Sequence, residues 1–513
     1  MNEFTVRETR PRARLLPCLL LFAVSFLLLL FATKSSPLYA FNDWSDMNWF
    51  TTVARGIFEG KVPYRDLFEQ KGPILYVVVG LFCLPFGTSG FGMFLLETVC
   101  LGAFAVLGYR IALRYLSPLL SFVTATLTAT LTVTTWAFNQ GGGSAEEFFL
   151  PFFAWGLLKF LEFTEDGRLL SPLEMFLMGV FVGVILWSKF LVAVFFFLLM
   201  LLWLYRMIFV LKRGKRAAAG IGFGTLGILA VSLPVLVGFG AVGALGDLFT
   251  VYFYNNIFLY SAVYENQALG GAITIPPALI RFAFFAANFL VLGVLAFGLV
   301  RYVKCKKGSE TSPWLFLVFV GLQTAELLLL GYYSYYFLVL CVFLPLCLVP
   351  LVSRVASRLA GKKPGLRGGL AIFACLCLVF TVLAGNNTRE LFDGDKYAQT
   401  AVARRIEADG KEDPTLLCYM MVDRGFYRAA GITPSTYYFA QNCYSEESYP
   451  EMYREYDRYV RDGETDYVVA YSFDYEEDPA LFDRYEKIGE YTYDFYDCNY
   501  SGYPVTYYLF RLK

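Results

Sequence analysis

Residues 44–73 read WSDMNWFTTVARGIFEGKVPYRDLFEQKGP and lie between two apolar runs. Asp46, Arg55, Glu59, Lys61, Arg65, Asp66, Glu69 and Lys71 all fall within this one connector, and bilayer hydrocarbon would not accept them. Trp49, Phe50, Val53, Ile57 and Phe58 recur among them at helical spacing. The pattern predicts an amphipathic helix over 47–58 that lies on a membrane surface instead of crossing it. Asp46 stands where that helix opens, so capping the helix is one role open to it. Carboxylates beside a membrane face, with Lys71 at the edge of the next apolar run, suit chemistry on a lipid-linked anionic substrate.

The rest of the chain sets the same scene. Of 513 residues, 57% are hydrophobic and only 17% charged, too apolar a balance for a soluble protein. Repeated apolar runs of about 20 residues indicate a polytopic membrane protein. Lysine and arginine (43) equal aspartate and glutamate (43), so no basic excess points to nucleic acid. Histidine is absent from the sequence, which excludes Ser-His-Asp and Cys-His catalysis and His-ligated metals. Acid–base work falls to carboxylates, lysine or tyrosine. The cysteines form no CxxC pair, and no zinc site is expected.

Arg7, Arg10, Arg12 and Arg14 precede an apolar run over 15–33. The run is long for a signal peptide and lacks a small-x-small cleavage site, so an uncleaved first span is expected, with the N-terminus cytoplasmic and the 34–90 loop outside. The apolar piece 73–86 is too short to span comfortably. If it does not cross, the span 91–113 runs inward and delivers Arg110 and Arg114 to the cytoplasm, as the positive-inside rule asks. Further spans are expected at 119–137, 147–163, 173–187, 190–210, 221–239, 279–300, 314–330, 336–352 and 369–383. The pair 173–187 and 190–210 also reads as one bent unit around Trp187-Ser188-Lys189. Eleven spans in all form an all-α polytopic domain over 1–385 and put the C-terminus outside.

From residue 386 the composition turns polar and tyrosine-rich, with 25 acids against 14 bases. Helices at 398–406 and 451–460 alternate with strands at 415–422, 467–471, 491–496 and 506–512, predicting a small extracytoplasmic α/β domain over 386–513. It carries no phosphate-binding glycine loop and no nucleophile elbow. Cys443 and Cys498 are candidates for a disulfide in an oxidising exterior, and Cys418 for a free core thiol.

Asp46, an aromatic at Phe50, Ala54, Gly60, then Tyr64-Arg65-Asp66 and Glu69-Gln70-Lys71-Gly72-Pro73 occur in order. This series resembles the first extracytoplasmic loop of the GT-C superfamily. The nearest likeness is to its family-39-like branch, kin to protein O-mannosyltransferases and the lipid A aminoarabinose transferase. Many relatives carry two acids in succession at the first position, whereas here Met47 follows Asp46. The resemblance implies an inverting glycosyltransferase of a bacterial plasma membrane. It would move a hexosyl or pentosyl group from a polyprenyl-phosphate donor to a glycan, lipid or protein acceptor on the outer face. A non-enzymatic transporter or flippase for lipid-linked sugars and a glycan-binding membrane protein are the alternatives.

On that resemblance Asp46 is the base that deprotonates the acceptor, with Asp43 the nearby competitor. Lys71, beside a helix N-terminus, and Lys189 would meet the donor phosphate. Glu69 matches an acid next to the lysine that is able to hold a divalent metal, although no cofactor is required by the sequence. Tyr64 and Asp66 shape the loop or touch substrate, and Glu146 and Glu147 stand at a membrane mouth as acceptor-site or pairing groups. A lysine–acid pair is the other reading of Lys189. The aromatic, Asn-rich segment 247–277 suits sugar stacking or an interfacial belt. Around 332–336, where relatives often carry a histidine, this chain has tyrosines.

Overall fold

The computed structural model describes residues 3–6, 15–138, 141–259, 276–306, 313–331, 333–359, 366–391, 396–441, 444–495 and 503–513. All eleven apolar segments expected to span are helical. In order they begin α1 (Leu15–Ala32), α4 (Phe91–Ala112), α5 (Pro118–Thr134), α6 (Ala145–Glu165), α7 (Pro172–Lys189), α8 (Val194–Tyr205) and α9 (Gly214–Ala241). Between α1 and α4 lie α2 (Ser45–Phe58) and α3 (Pro73–Cys83). Among the described residues, by length and composition, five helices can cross a membrane alone, or up to seven if each of two bent pairs is one span.

The difference from eleven has physical causes. Helix α5 is 17 residues long, and α6 carries Glu146, Glu147, Lys159, Glu162 and Glu165. The stretch Pro172–Val210 runs 39 residues through a break at Trp187–Lys189, the bent unit foreseen there. A second bend of 78° falls at Asn288, whose side chain accepts from Thr135 Oγ1 and the Ala137 N–H.

The C-terminal part is an α/β unit. Strands β1 (Leu416–Cys418), β2 (Tyr467–Tyr471), β3 (Tyr485–Phe495) and β4 (Tyr503–Leu512) form one sheet in the order β1-β2-β4-β3. β1 runs parallel to β2, and β4 antiparallel to both its neighbours. β3 begins six residues before the expected 491 because its first half, YEKIGE, is charged. It is an edge strand, where charge is tolerated and discourages pairing with other chains. Cys418 is a buried free thiol as expected, while Cys443 and Cys498 lie outside the described residues.

This unit roofs the 34–90 loop. Arg428 donates through Nε to Asn48 Oδ1 (2.6 Å), through Nη2 to the Asn42 carbonyl (2.7 Å) and through Nη1 to the Thr88 carbonyl (2.8 Å). Thr52 Oγ1 donates to Asp423 Oδ2 at 2.7 Å, and burial pushes that carboxyl up to about 6. Helix α2 is therefore not the membrane-surface helix expected from its pattern. Its polar face meets the roof and its apolar face the helices below, so residues 46–54 are buried throughout.

The same contacts explain the short apolar piece. The Phe68 N–H donates to the Tyr437 carbonyl just before α3, and Arg428 holds Thr88 just after it. Helix α3, continued by a 3-10 turn over Leu84–Phe86, thus has the chain on both its flanks tied to the same domain.

Candidate active site

Asp46 sits in the first turn of α2 but does not cap it. The cap is Trp44, with no side-chain hydrogen bond, so the capping role is corrected. A carboxylate in the first turn does complement the positive end of the helix dipole. Asp46 is 5% exposed, and Tyr335 donates its hydroxyl to Oδ2 at 3.2 Å. The Tyr335 ring packs edge-on against Trp44, 5.5 Å between centroids. A tyrosine hydroxyl from the region where the resemblance expects a histidine therefore orients the acid.

Asp43, three residues earlier, belongs to a different cluster. Its Oδ1 accepts from Lys34 Nζ at 2.8 Å, and Lys34 also reaches Glu390 Oε2 at 2.8 Å. Tyr493 and Tyr397 hydroxyls complete the two carboxylates. This buried triad ties the end of α1 to the C-terminal unit.

The Glu69–Pro73 turn is clamped onto the break after α7. The Gly72 N–H donates to the Ser188 carbonyl at 2.8 Å. A Cβ on Gly72 would lie 2.1 Å from the Trp187 carbonyl oxygen, so only glycine allows this approach. The turn is also tied from within. Tyr64 donates its hydroxyl to the Lys71 carbonyl at 2.5 Å, and the Lys71 N–H donates to Glu69 Oε2 at 2.9 Å. Asn256 Nδ2 donates to the Gln70 carbonyl at 2.7 Å.

Lys71 is thereby carried to a narrow cleft lined by Gln70, Lys189, Leu191, Tyr252, Asn256 and Tyr336. It is only 8% exposed, yet its Nζ makes no hydrogen bond or ion pair among the described residues. Burial works against the ammonium, but Asp46 and then Glu69 outweigh it and hold the group above its ordinary value. Burial likewise pushes the Glu69 carboxyl up, against the pull of Lys71.

Lys189 ends α7 at the break. Its Nζ donates to Glu146 Oε1 at 2.6 Å and lies 3.8 Å from the centre of the Tyr336 ring. The expected alternative of a lysine–acid pair is thus present, and it stands in the cleft wall. Glu147 turns the other way. It closes a capping box with Ser144 at the start of α6, accepting from the Ser144 N–H (3.0 Å) and Oγ (2.9 Å).

Asp46, Glu69, Lys71, Glu146 and Lys189 therefore gather in one region. Tyr64, Asp66 and Glu147 are built into its scaffold. Asp66 accepts from the Val62 N–H at 2.7 Å and pairs with Arg65, while Tyr64 packs on Phe239 and Tyr252. From the 247–277 segment, Tyr252 is buried, with its hydroxyl on the Leu186 carbonyl; residues 260–275 lie outside the described residues. Among the described residues no three acidic or cysteine side chains converge, so a divalent ion at Glu69 would draw its remaining ligands from substrate oxygens or water.

Sequence reasoning missed Lys34, Glu390, Arg428, Asn256 and the orienting role of Tyr335. Lys34 reads as the usual charge ending an apolar run, and the others lie far from their partners in sequence. The tyrosine run where a histidine was expected was the one usable signal.

Two solved structures share the fold across nearly the whole chain. ArnT from Cupriavidus metallidurans bound to undecaprenyl phosphate superposes with a TM-score of 0.63 at 11% identity, covering 96% of this chain and 97% of that one. ArnT from the same organism in the apo state gives a TM-score of 0.59 at 11% identity, with the same coverage. No protein-family model and no curated protein matches the chain. The GT-C fold expected from the loop motifs is borne out, and at this identity the likeness is one of fold.

Proposed function

We propose that this protein is an inverting membrane glycosyltransferase that takes a sugar from a polyprenyl-phosphate carrier of the kind bound in ArnT. The observation that carries the reading is Lys71: a buried ammonium without a direct partner among the described residues, facing a cleft beside Lys189. Asp46 and Glu69 offset the burial of this charge, but no group among the described residues takes its hydrogen bonds, which leaves them for an incoming anion. The N-terminus of α3, which opens at Pro73, adds its dipole to the same spot.

In the reaction, Asp46 accepts the proton of the acceptor hydroxyl as that oxygen attacks the anomeric carbon. The bond from that carbon to the phosphate oxygen breaks on the opposite face, and its electron pair leaves with the polyprenyl phosphate. Lys71, supported by Lys189, stabilises the charge that grows on that phosphate. Tyr335 holds Asp46 toward the acceptor. The cleft faces the outer side of a bacterial plasma membrane, with the C-terminal unit over it and the N-terminus in the cytoplasm.

The test of the donor site is Lys71→Met. Losing a charge-assisted hydrogen bond, about 1.5–3 kcal/mol, is expected to weaken undecaprenyl phosphate binding roughly ten- to hundredfold in purified protein. Thermal stability should fall modestly, because Asp46 and Glu69 lose the ammonium that offsets their own burial. Unchanged binding in a normally folded variant would reduce Lys71 to an interfacial lysine.

The orientation has its own test. Thr88 is exposed and lies beyond α3. A cysteine placed there in a background without reactive native cysteines is expected to react with an impermeant thiol reagent added outside intact cells. Labelling only after the cytoplasmic face is opened would invert the proposed topology.

A further inference from the structure

A second, narrow cleft adjoins the first, and its wall includes Glu146, Leu191, Gln323, Glu326, Tyr336 and Val339. Leu191 and Tyr336 line both clefts, so the Lys189–Tyr336 stack stands between them. The polar groups of the two differ in kind. The first offers Lys71, Lys189 and the Asn256 amide, whereas the second has no lysine or arginine in its wall among the described residues.

The polar atoms left over in the second cleft are acceptors. Glu146 gives Oε1 to Lys189, and its Oε2 is buried without a hydrogen bond. Gln323 donates Nε2 to Glu326 Oε2 at 2.8 Å, which leaves its Oε1 buried without a partner. Glu146 is 1% and Gln323 2% exposed. Buried acceptors left unmet cost free energy, and apolar residues in their place would avoid it. Glu326 lies in the apolar helix Pro313–Leu330, where an acid is expensive and is expected to have a use.

We infer that this second cleft is the glycosyl subsite, and that Glu146, Gln323 and Glu326 select a sugar that presents hydrogen-bond donors and reject one that carries an anion. The inference rests on the carrier reading of the first cleft and adds the class of sugar. With the phosphate held at Lys71, the ring passes beneath the Lys189–Tyr336 stack. Its hydroxyls, or an ammonium, then meet the free oxygens of Glu146 and Gln323. A carboxylate on the ring would face Glu146 and Glu326 and leave the same acceptors unmet, so uronic acids are excluded by both repulsion and lost hydrogen bonds. Glu146 joins the two subsites, with one oxygen on Lys189 and the other toward the sugar.

Competition binding to the purified full-length protein in nanodiscs decides this, with four probes: farnesyl phosphate, and farnesyl-phosphate-linked glucose, glucosamine and glucuronic acid. Glucose and glucosamine conjugates are expected to bind at least about tenfold more tightly than the glucuronic acid conjugate, which has the same phosphodiester. Gln323→Leu and Glu326→Gln should each shrink that preference severalfold while farnesyl phosphate binds as before. Both substitutions remove polar or charged groups from an apolar helix, so neither is expected to impair folding. Equal binding of the glucuronic acid conjugate, or full discrimination retained in both variants, would overturn the subsite. Failure of farnesyl phosphate itself to bind would instead overturn the carrier reading, and the subsite with it.

Discussion

Asp46→Asn is expected to lower the rate of sugar transfer by at least about a hundredfold, within the 10²–10⁴ range of a general base. The substitution is nearly isosteric, and its amide oxygen still accepts the Tyr335 hydroxyl bond now seen at 3.2 Å. It removes a charge from a site that is 5% exposed and whose helix cap is Trp44. Folding therefore loses no cap, and a melting curve close to the parent's is part of the expectation. One side effect is foreseen: Asp46 is the strongest support for the Lys71 charge, so carrier binding should also shift modestly. Measuring turnover with the carrier saturating separates the two, since a lost proton acceptor lowers kcat and weaker binding raises KM. Parental turnover at saturation would end the mechanism. Asp43→Asn is no silent control here, because Asp43 is half of the Lys34 ion-pair cluster. Its effect should appear in stability before it appears in chemistry.

How far the sequence reaches is visible at these two aspartates. Both lie in one loop, three residues apart, and composition cannot separate them. The order of Gly60, the Tyr64–Asp66 triplet and Lys71-Gly72-Pro73 pointed to Asp46. The structure adds a contact no local pattern carries, since Tyr335 reaches Asp46 from 289 positions away. Local signals were enough for helix positions, for the shortness of the apolar helix at 73–86 and for the α/β character of residues 386–513. Contacts between distant segments were not legible. Helix α2 carries the periodicity of a surface helix because one of its faces is polar. That face is buried by Asp423 and Arg428, residues whose own neighbourhood says nothing of α2. Glu146 and Glu147 look alike in sequence, yet a helix turns adjacent side chains about 100° apart. One therefore meets Lys189 and the other closes a capping box.

The largest expected effect on stability belongs to Lys34→Met. Lys34 Nζ bridges Asp43 and Glu390, and all three side chains are 2–3% exposed. The two carboxylates oppose burial through this one ammonium, which they hold above its ordinary value, while burial raises Glu390. Methionine fills the space of the lysine stem but strands both charges, and breaking a buried pair from one side costs about 3–5 kcal/mol. Because the cluster joins the end of α1 to the C-terminal unit, the loss should appear as early melting and as proteolysis of residues beyond 386. The sign of the pH dependence follows from the stranded acids. With Lys34 gone, the Glu390 carboxyl, already raised by burial, rises further above its unfolded value. The variant should therefore be nearest the parent at low pH, where that carboxyl is protonated, and fall away as pH rises through its folded-state value. Adding Glu390→Gln to Lys34→Met removes one stranded charge and should recover part of the loss. The test is thermal unfolding of parent, single and double variants at pH 5 and pH 8. A Lys34→Met protein that melts with the parent at both would show that the triad does not hold the two parts of the chain together.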